Sequence, residues 1–368
     1  MEEIVVSAPG KVILHGEHSV VYGKVAVASS LNLRCYLRLV PNDDGLISLD
    51  LPNVDVHQQW SVDRLRKELM SKIHIQGVNC TAMTIMPPGG LYQLSGTRTQ
   101  GSLKGDSSSE PVPPCDEVMK VLKQFADIGS EDIGTDALAG CGDVETVGWS
   151  DTERALINQW AFVGEKIIHG QPSGIDNSIS ALGGAIRFQK KQITPVEKMP
   201  SLRVLLTNTK VPRSTKTLVA SVGDRYRKYT AVMSPILDAM EGVAEKCLQV
   251  YADLQSNTGS SDAYTQLEEL IDINQSLLGA IGVGHATLDK IVLTTARYGL
   301  HTKLTGAGGG GCTYTLLRPD VKADTVNKVC QELRQAGFDC WETSIGGPGV
   351  LFHSNPSSDS SIPCQLFA

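Results

Sequence analysis

The chain has 368 residues, 41% hydrophobic and 20% charged, with 33 Lys and Arg against 40 Asp and Glu and a formal net charge of -7. That balance excludes a disordered or fibrous chain and a basic nucleic-acid surface, so any phosphate must be met by local backbone donors and a few lysines. The length admits two lobes with separate cores. The nine cysteines are odd in number and lack zinc or disulfide-framework spacing, which predicts a reducing compartment. No apolar run approaches the roughly 20 residues of a membrane span, and a strand follows Met1-Glu2-Glu3 directly, so a cytosolic protein with no membrane and no nucleic-acid partner is expected.

Residues 4–6 read as a short strand leading into a turn at Ala8-Pro9-Gly10-Lys11. Residues 31–40 alternate as a half-buried antiparallel strand does, and 45–51 supplies the neighbour. Helical spacing follows at 61–72 and at 115–126, where Val118, Val121, Leu122 and Phe125 share a face. Between these, 94–114 is a polar tract rich in Pro, Gly and Ser that cannot build a core, and 128–147 is another. The stretch 79–148 is therefore expected to be atypical and partly disordered.

The helix around which the chain is organised covers 150–169. Ser150 with Glu153 three residues on is a capping box, and Leu156, Trp160, Phe162, Val163 and Ile167 recur at helical spacing, which predicts a buried amphipathic helix. Gly170 and Pro172 stop it. Glu165 projects from this helix, and the loop Pro172-Ser173-Gly174-Ile175-Asp176 follows it. A carboxylate delivered by a rigid helix suits a general base acting on a substrate hydroxyl; the alternative for Asp176 is a cap on the next helix, beginning near Asn177.

Further on, 177–182 reads as helix and 185–188 as strand, with the lobe boundary at 195–200, giving lobes of 1–200 and 201–368. An apolar strand at 202–207 feeds Ser214, which can cap a helix running to Lys228. Helices are predicted at 231–254, 262–278 and 286–298. Thr305-Gly306-Ala307-Gly308-Gly309-Gly310-Gly311-Cys312 lies between Lys303-Leu304 and the strand 313–317, and glycines so placed mean a backbone closely approached. A helix at 323–336, strands at 340–345 and 350–353, and a polar, frayed 354–368 complete the chain. The fold class is α+β, with antiparallel or mixed sheets and helices packed on one face of each lobe.

Four strings, read together, carry a resemblance. They are Ala8-Pro9-Gly10-Lys11-Val12-Ile13-Leu14-His15-Gly16-Glu17-His18, the stretch His169 to Asn177, Leu206-Thr207-Asn208-Thr209-Lys210-Val211-Pro212-Arg213, and the glycine run after Lys303. The chain resembles the GHMP kinases, and within them the branch that phosphorylates mevalonate, over 4–60 and 149–353. The resemblance implies a two-lobe kinase that uses ATP and Mg2+, takes mevalonate as its small-molecule substrate and forms a homodimer. It implies that Asp176 takes the proton of the acceptor hydroxyl while Lys11 lowers the pKa of Asp176 and stabilises the phosphoryl group. His18, Glu17, Ser173, Arg213, Thr215, Gly306 and Ala307 would bind the substrate. Lys11, Asn53, Gly308 and Gly309 would face the nucleotide, and Glu165 would hold Mg2+.

One element of the family pattern has no counterpart. GHMP kinases carry a Pro-Pro-Gly-x-Gly-Leu-Gly-Ser-Ser-Ala loop whose backbone wraps the ATP phosphates at a helix N-terminus. Pro87-Pro88-Gly89-Gly90-Leu91 lacks the serines, and Gly105-Asp106-Ser107-Ser108-Ser109 is followed by prolines and brings Asp106 where phosphate would lie. The expectation is a chain of this family with a central block missing or replaced. Two other readings stay open: another GHMP kinase, or an inert isoform that holds the acceptor but no nucleotide.

Overall fold

The computed structural model describes residues 4–51, 56–61, 63, 80–85, 149–169, 172–197, 199–256 and 261–353. The chain divides into two compact units, one of Met1–Ala8, Arg34–Leu182 and Gly349–Ala368, the other of Pro9–Leu33 and Gly183–Pro348. These are not the consecutive lobes that a boundary at 195–200 supposed. Long-range strand pairing explains the difference, since the 26–31 segment pairs with strands near 186 and 345. Strands β1 (Ile4–His15) and β2 (Ala26–Pro41) each contribute a segment to both units.

β1 runs straight through the turn expected at Ala8 to Lys11. Its buried and half-buried residues alternate along the strand and slip phase at Pro9 and Gly10, two consecutive buried positions. The fixed φ of Pro9 is compatible with extended backbone, so Pro9-Gly10 shifts the pattern without ending the strand.

In the first unit, Val5 to Ser7 of β1 pair antiparallel with β12 (Leu351–His353), and Tyr36 to Pro41 of β2 pair with β5 (Cys80–Ile85). β3 (Leu46–Leu51) pairs antiparallel with β4 (Val56–Ser61) and parallel with β5. β5 falls in the stretch read as atypical; its backbone pairing on both sides makes it a strand. The Arg34 guanidinium locks this region by donating to Ser7 Oγ at 2.8 Å and to Gly349 O at 2.5 Å. Of the helix expected at 61–72, Ser61 ends β4, and the rest lies outside the described residues apart from Asp63. The helix at 115–126, the tracts at 94–114 and 128–147, both loop candidates, Asn53 and 354–368 also lie outside them.

The same unit holds α1 (Asp151–His169) and α2 (Ile175–Leu182). The capping box forms as read: Ser150 N–H and Oγ each lie 2.7 Å from Glu153 Oε2, and Glu153 N–H reaches back to Ser150 Oγ at 3.3 Å. Burial of α1 is narrower than its periodicity implies, because Val163 is 5% exposed while Trp160 is 38% exposed.

In the second unit, β2 pairs through Ala26 to Ser29 with β6 (Ala185–Gln189), which turns back through Lys190 and Lys191 into β7 (Gln192–Pro195). Both lysines take positive φ, the twist a tight hairpin requires, and their sequence carries no Gly or Asn to announce it. An antiparallel run of β11 (Asp339–Ile345), β8 (Leu202–Asn208), β10 (Cys312–Leu317) and β9 (Thr302–Thr305) forms the unit's centre. The helices are α3 (Thr215–Lys228), α4 (Thr230–Ser256), α5 (Ser261–Ala280), α6 (Ala286–Ala296) and α7 (Ala323–Gln335). Two apolar clusters hold them: Leu205, Ile291, Leu317, Val329 and Leu333 in one, and Val222, Leu237, Met240, Leu278, Ile281 and Leu304 in the other. Side chains of both clusters are removed from water almost completely, each contributing about 1.5–3 kcal/mol by area.

Candidate functional site

In the second unit the chain leaves β1 at His15 and turns sharply. Gly16 has φ +90, and a Cβ there would come within 2.4 Å of Val25 O and Ala26 Cα, so no other residue fits. His18 follows with φ +60, an unusual conformation for a residue with a side chain. Ser19 N–H donates to Glu17 O at 2.7 Å, Val21 N–H donates to His18 O at 3.0 Å, and a short 3-10 turn (Ser19–Tyr22) continues. His18 is 6% exposed, and its Nε2 lies 2.8 Å from the Ala307 carbonyl. A carbonyl only accepts, so Nε2 carries the proton. Burial lowers the pKa of His18, although the Ala307 bond pulls it back up. The ring is therefore neutral near pH 7, and its Nδ1 remains as an acceptor.

Beside His18 lies an ion pair between Glu17 and Lys303, both with side-chain exposure of 0%. Lys303 Nζ also donates to Leu304 O at 2.7 Å and sits 5.2 Å from the centre of the Tyr314 ring. Asn274 Nδ2 donates to the other carboxylate oxygen of Glu17 at 3.4 Å and lies 3.3 Å from His15 Nδ1. The His15 Nε2 is 3.4 Å from the Tyr251 hydroxyl. Burial raises the Glu17 carboxyl and lowers the Lys303 ammonium, each toward neutrality, with the partner's charge opposing. His15 is pushed well below the usual imidazole range by burial and then by Lys303. Glu17 is thus enclosed, with both carboxylate oxygens engaged by Lys303 and Asn274.

The glycine run begins where β9 ends. Gly306, Gly308, Gly309, Gly310 and Gly311 all have φ between +65 and +120. A Cβ on Gly308 would sit 2.2 Å from Val283 O, and one on Gly310 would sit 2.6 Å from Val211 Cβ. The body that approaches this backbone is therefore the protein itself: Val283 accepts from Gly309 N–H at 2.8 Å, and Gly311 O accepts from Thr209 N–H at 2.8 Å. The Arg213 guanidinium packs against the loop, its Nη1 0.6 Å from where a Gly311 Cβ would stand and its Nη2 3.6 Å from that of Gly306. Arg213 Nη1 is buried with no hydrogen-bond partner among the described residues. A cationic donor so placed fits an anionic oxygen.

Arg213 precedes the N-cap of α3. Ser214 Oγ accepts from Thr217 N–H at 3.3 Å, so the cap is Ser214, and Thr215 is the exposed first residue of the helix. Lys11 stands half-buried on β1 in this same unit.

The first unit contributes the corner between α1 and α2. Gly174 turns it with φ +85, and Ser173 Oγ accepts from Ile175 N–H at 3.3 Å. Asp176 is exposed and lies inside the first turn of α2 rather than ahead of it, where its charge suits the helix dipole. The next residue, Asn177, is buried and ties α2 to α1 through the Asn158 side-chain amide at 2.5 Å. Glu165 is half-buried on α1.

Residues picked out from the sequence therefore fall in both units: Glu165, Ser173 and Asp176 at the helix corner of the first, and Lys11, Glu17, His18, Arg213, Thr215 and Gly306 to Gly309 in the second. Within the second, His18 meets Ala307, and Arg213 meets Gly306 and Gly311. Sequence reasoning missed Lys303, Asn274, Tyr251 and Tyr314. The one available signal was a lysine in a strand otherwise made of Thr and Leu, since the Glu17 to Lys303 contact spans 286 positions.

The profile described as GHMP kinases C terminal matches residues 261–347. A mevalonate kinase of Bos taurus is 41% identical over 389 aligned positions, covering 98% of each chain. The mevalonate kinase of Homo sapiens is 40% identical, covering 99% of this chain and 98% of its own, and that of Arabidopsis thaliana is 33% identical, covering 95% and 99%. Among solved structures, a mevalonate kinase of Methanococcus jannaschii superposes with a TM-score of 0.63 at 17% identity, covering 94% of this chain and 99% of that one. The L. major mevalonate kinase in complex with R-mevalonate gives 0.60 at 20% identity, covering 95% and 96%.

Proposed function

The chain belongs to the mevalonate kinase family, and from that membership we propose that it transfers the γ-phosphoryl group of ATP to the C5 hydroxyl of (R)-mevalonate, giving 5-phosphomevalonate and ADP. One observation carries this reading: 41% identity sustained over 98% of both chains. The second unit's geometry supports it. A neutral His18 whose Nδ1 accepts, and a guanidinium with a buried unsatisfied N–H, answer the two groups that a hydroxy acid offers, hydroxyl and carboxylate.

Asp176 is assigned the proton of the acceptor hydroxyl, and Lys11 the task of stabilising charge on the phosphoryl oxygens. Ser173, His18, Arg213, Thr215, Gly306 and Ala307 are assigned to mevalonate, with Glu17 behind His18. Lys11, Asn53, Gly308 and Gly309 are assigned to the nucleotide. Catalysis of this kind is positioning and charge stabilisation, with little covalent work for the protein. Glu165 offers one hard carboxylate, and among the described residues no three His, Cys, Asp or Glu gather as a cage. That suits Mg2+, which takes one or two carboxylates together with substrate phosphates and, when bound, would neutralise phosphate charge. The protein is assigned to the cytosol and to a homodimer; no described helix is long and apolar enough to cross a membrane.

An assay of ADP release with Mg-ATP tests the reaction. Turnover with mevalonate and none with galactose is expected; the reverse pattern makes the chain a different GHMP kinase. A second reading, an isoform that binds mevalonate without transferring phosphate, is favoured by one observation: no Gly-Leu-Gly-Ser-Ser string occurs, and the 389-position alignment is longer than the 368-residue chain and so carries gaps on this side. Titration calorimetry with Mg-ATP separates the two, because micromolar binding ends the inert reading.

A further inference from the structure

Residues 17–18 and residues 303–307 are joined twice. Lys303 is paired with Glu17, and four residues further on, the Ala307 carbonyl accepts from His18 Nε2 at 2.8 Å. The two ties run between the same two chain segments. Lys303 has no exposure, belongs to a four-residue strand that is buried throughout, and meets Glu17, the Leu304 carbonyl and the Tyr314 ring.

A buried ion pair is a poor source of stability, because desolvating both charges offsets their attraction, and an apolar pair of equal volume would serve as well or better. Burial indeed drives Glu17 and Lys303 each toward its neutral form. What the pair does is better sought in what it holds. The residue after Glu17 is His18, in a positive-φ conformation that persists only where surrounding contacts over-determine it. The contacts that do so are the Glu17 and His18 backbone bonds, the Ala307 bond and the anchoring of the Glu17 side chain.

We propose that Lys303 is a positioning residue for the acceptor: by anchoring Glu17 it fixes the His18 ring on the Ala307 carbonyl and so sets the direction in which Nδ1 accepts a substrate hydroxyl. This deepens the assignment of His18 to mevalonate and rests on it. Lys303 touches no substrate.

The test removes both charges at once with Lys303→Met and Glu17→Gln, since either change alone leaves its partner's charge buried. The double variant is expected to melt within about 5 °C of the parent. Its KM for mevalonate should rise about tenfold, with KM for ATP unmoved, as a misplaced contact requires. In a His18→Ala background, the same pair of changes should add no further loss. An unchanged KM in the folded double variant overturns the proposal, as does an equal loss with and without His18. Should the double variant not fold, Asn274→Ala keeps both charges and loosens Glu17; a rise of roughly two- to fivefold that vanishes in the His18→Ala background is expected, and no rise overturns the proposal. Nitrogen-15 spectra of the imidazoles give a readout free of activity. The hydrogen-bonded Nε2–H of His18 should be seen in the unliganded parent and lost in the double variant, and its survival would overturn the proposal. If the parent binds no mevalonate by calorimetry while the double variant still loses this signal, the substrate assignment is refuted and the positioning of His18 by Lys303 stands.

Discussion

The helix corner of the first unit and the buried cluster of the second use charge in opposite ways. At the corner, Asp176 stands exposed on a backbone turned by Gly174 and pinned by the Asn177–Asn158 bond. In the cluster, Glu17 and Lys303 are sealed from water and held by partners on two other elements, α5 and β10. A group that must exchange a proton needs access, whereas one that must fix geometry benefits from low dielectric and close packing. Substitution at the corner should therefore remove activity and spare the fold, and removal of a single charge in the cluster should cost stability first.

The sharpest break comes from Asp176→Asn. A loss of about 10²–10⁴ in kcat is expected with an unchanged melting temperature, read by ADP release and calorimetry. Lys303→Met alone tests the other side: an uncompensated buried carboxylate should destabilise the protein by about 3–5 kcal/mol in denaturant titration. Gly308→Ala drives a Cβ to 2.2 Å from the Val283 carbonyl at φ +74, and a loss of about 1–3 kcal/mol is expected from the same titration.

Acid sharpens the comparison further. His15 and His18 have pKa values lowered by burial, so the unfolded chain binds protons that the folded one refuses. Stability should fall as pH drops below the ordinary imidazole value of about 6.5, by up to about 1.4 kcal/mol per pH unit for each ring. Glu17 contributes with the opposite sign, since its raised pKa disfavours the folded state as pH rises from the carboxylate range. His15→Gln should flatten the acid limb of a pH–melting profile, and an unaltered slope would mean that His15 is charged in the fold. Ser214→Ala, a cap outside both regions, should have the smallest effect, about 1 kcal/mol.

Local signals in the sequence were read well because their physics is local. The Ser150–Glu153 box, the Ser214 cap and the helices of the second unit each depend on residues within a few positions of one another. β1 was cut short because Pro9-Gly10 looks like a turn to any short-range reading, and only pairing across the sheet shows otherwise. β5, within the stretch expected to be atypical, escapes a short-range reading for the same reason. At the site, the glycine run pointed correctly to close backbone approach, but the approaching bodies, Val283, Val211 and Arg213, come from distant segments. Lys303 flanks that run, and nothing near it in sequence says that its partner is Glu17.

The interleaving of the units sets a timetable for biosynthesis. Residues 9–33 leave the ribosome first, yet they belong to a body whose last strand, β11, pairs with Leu31 through Ile345. At about 5–20 residues per second, that segment waits some tens of seconds for its partners. Throughout the wait, Val25, Val27 and Leu31, all buried in the finished protein, stand open to solvent and to other nascent chains. A message truncated shortly before codon 339 would yield a chain that can never close its second unit, and holdase chaperones should retain it.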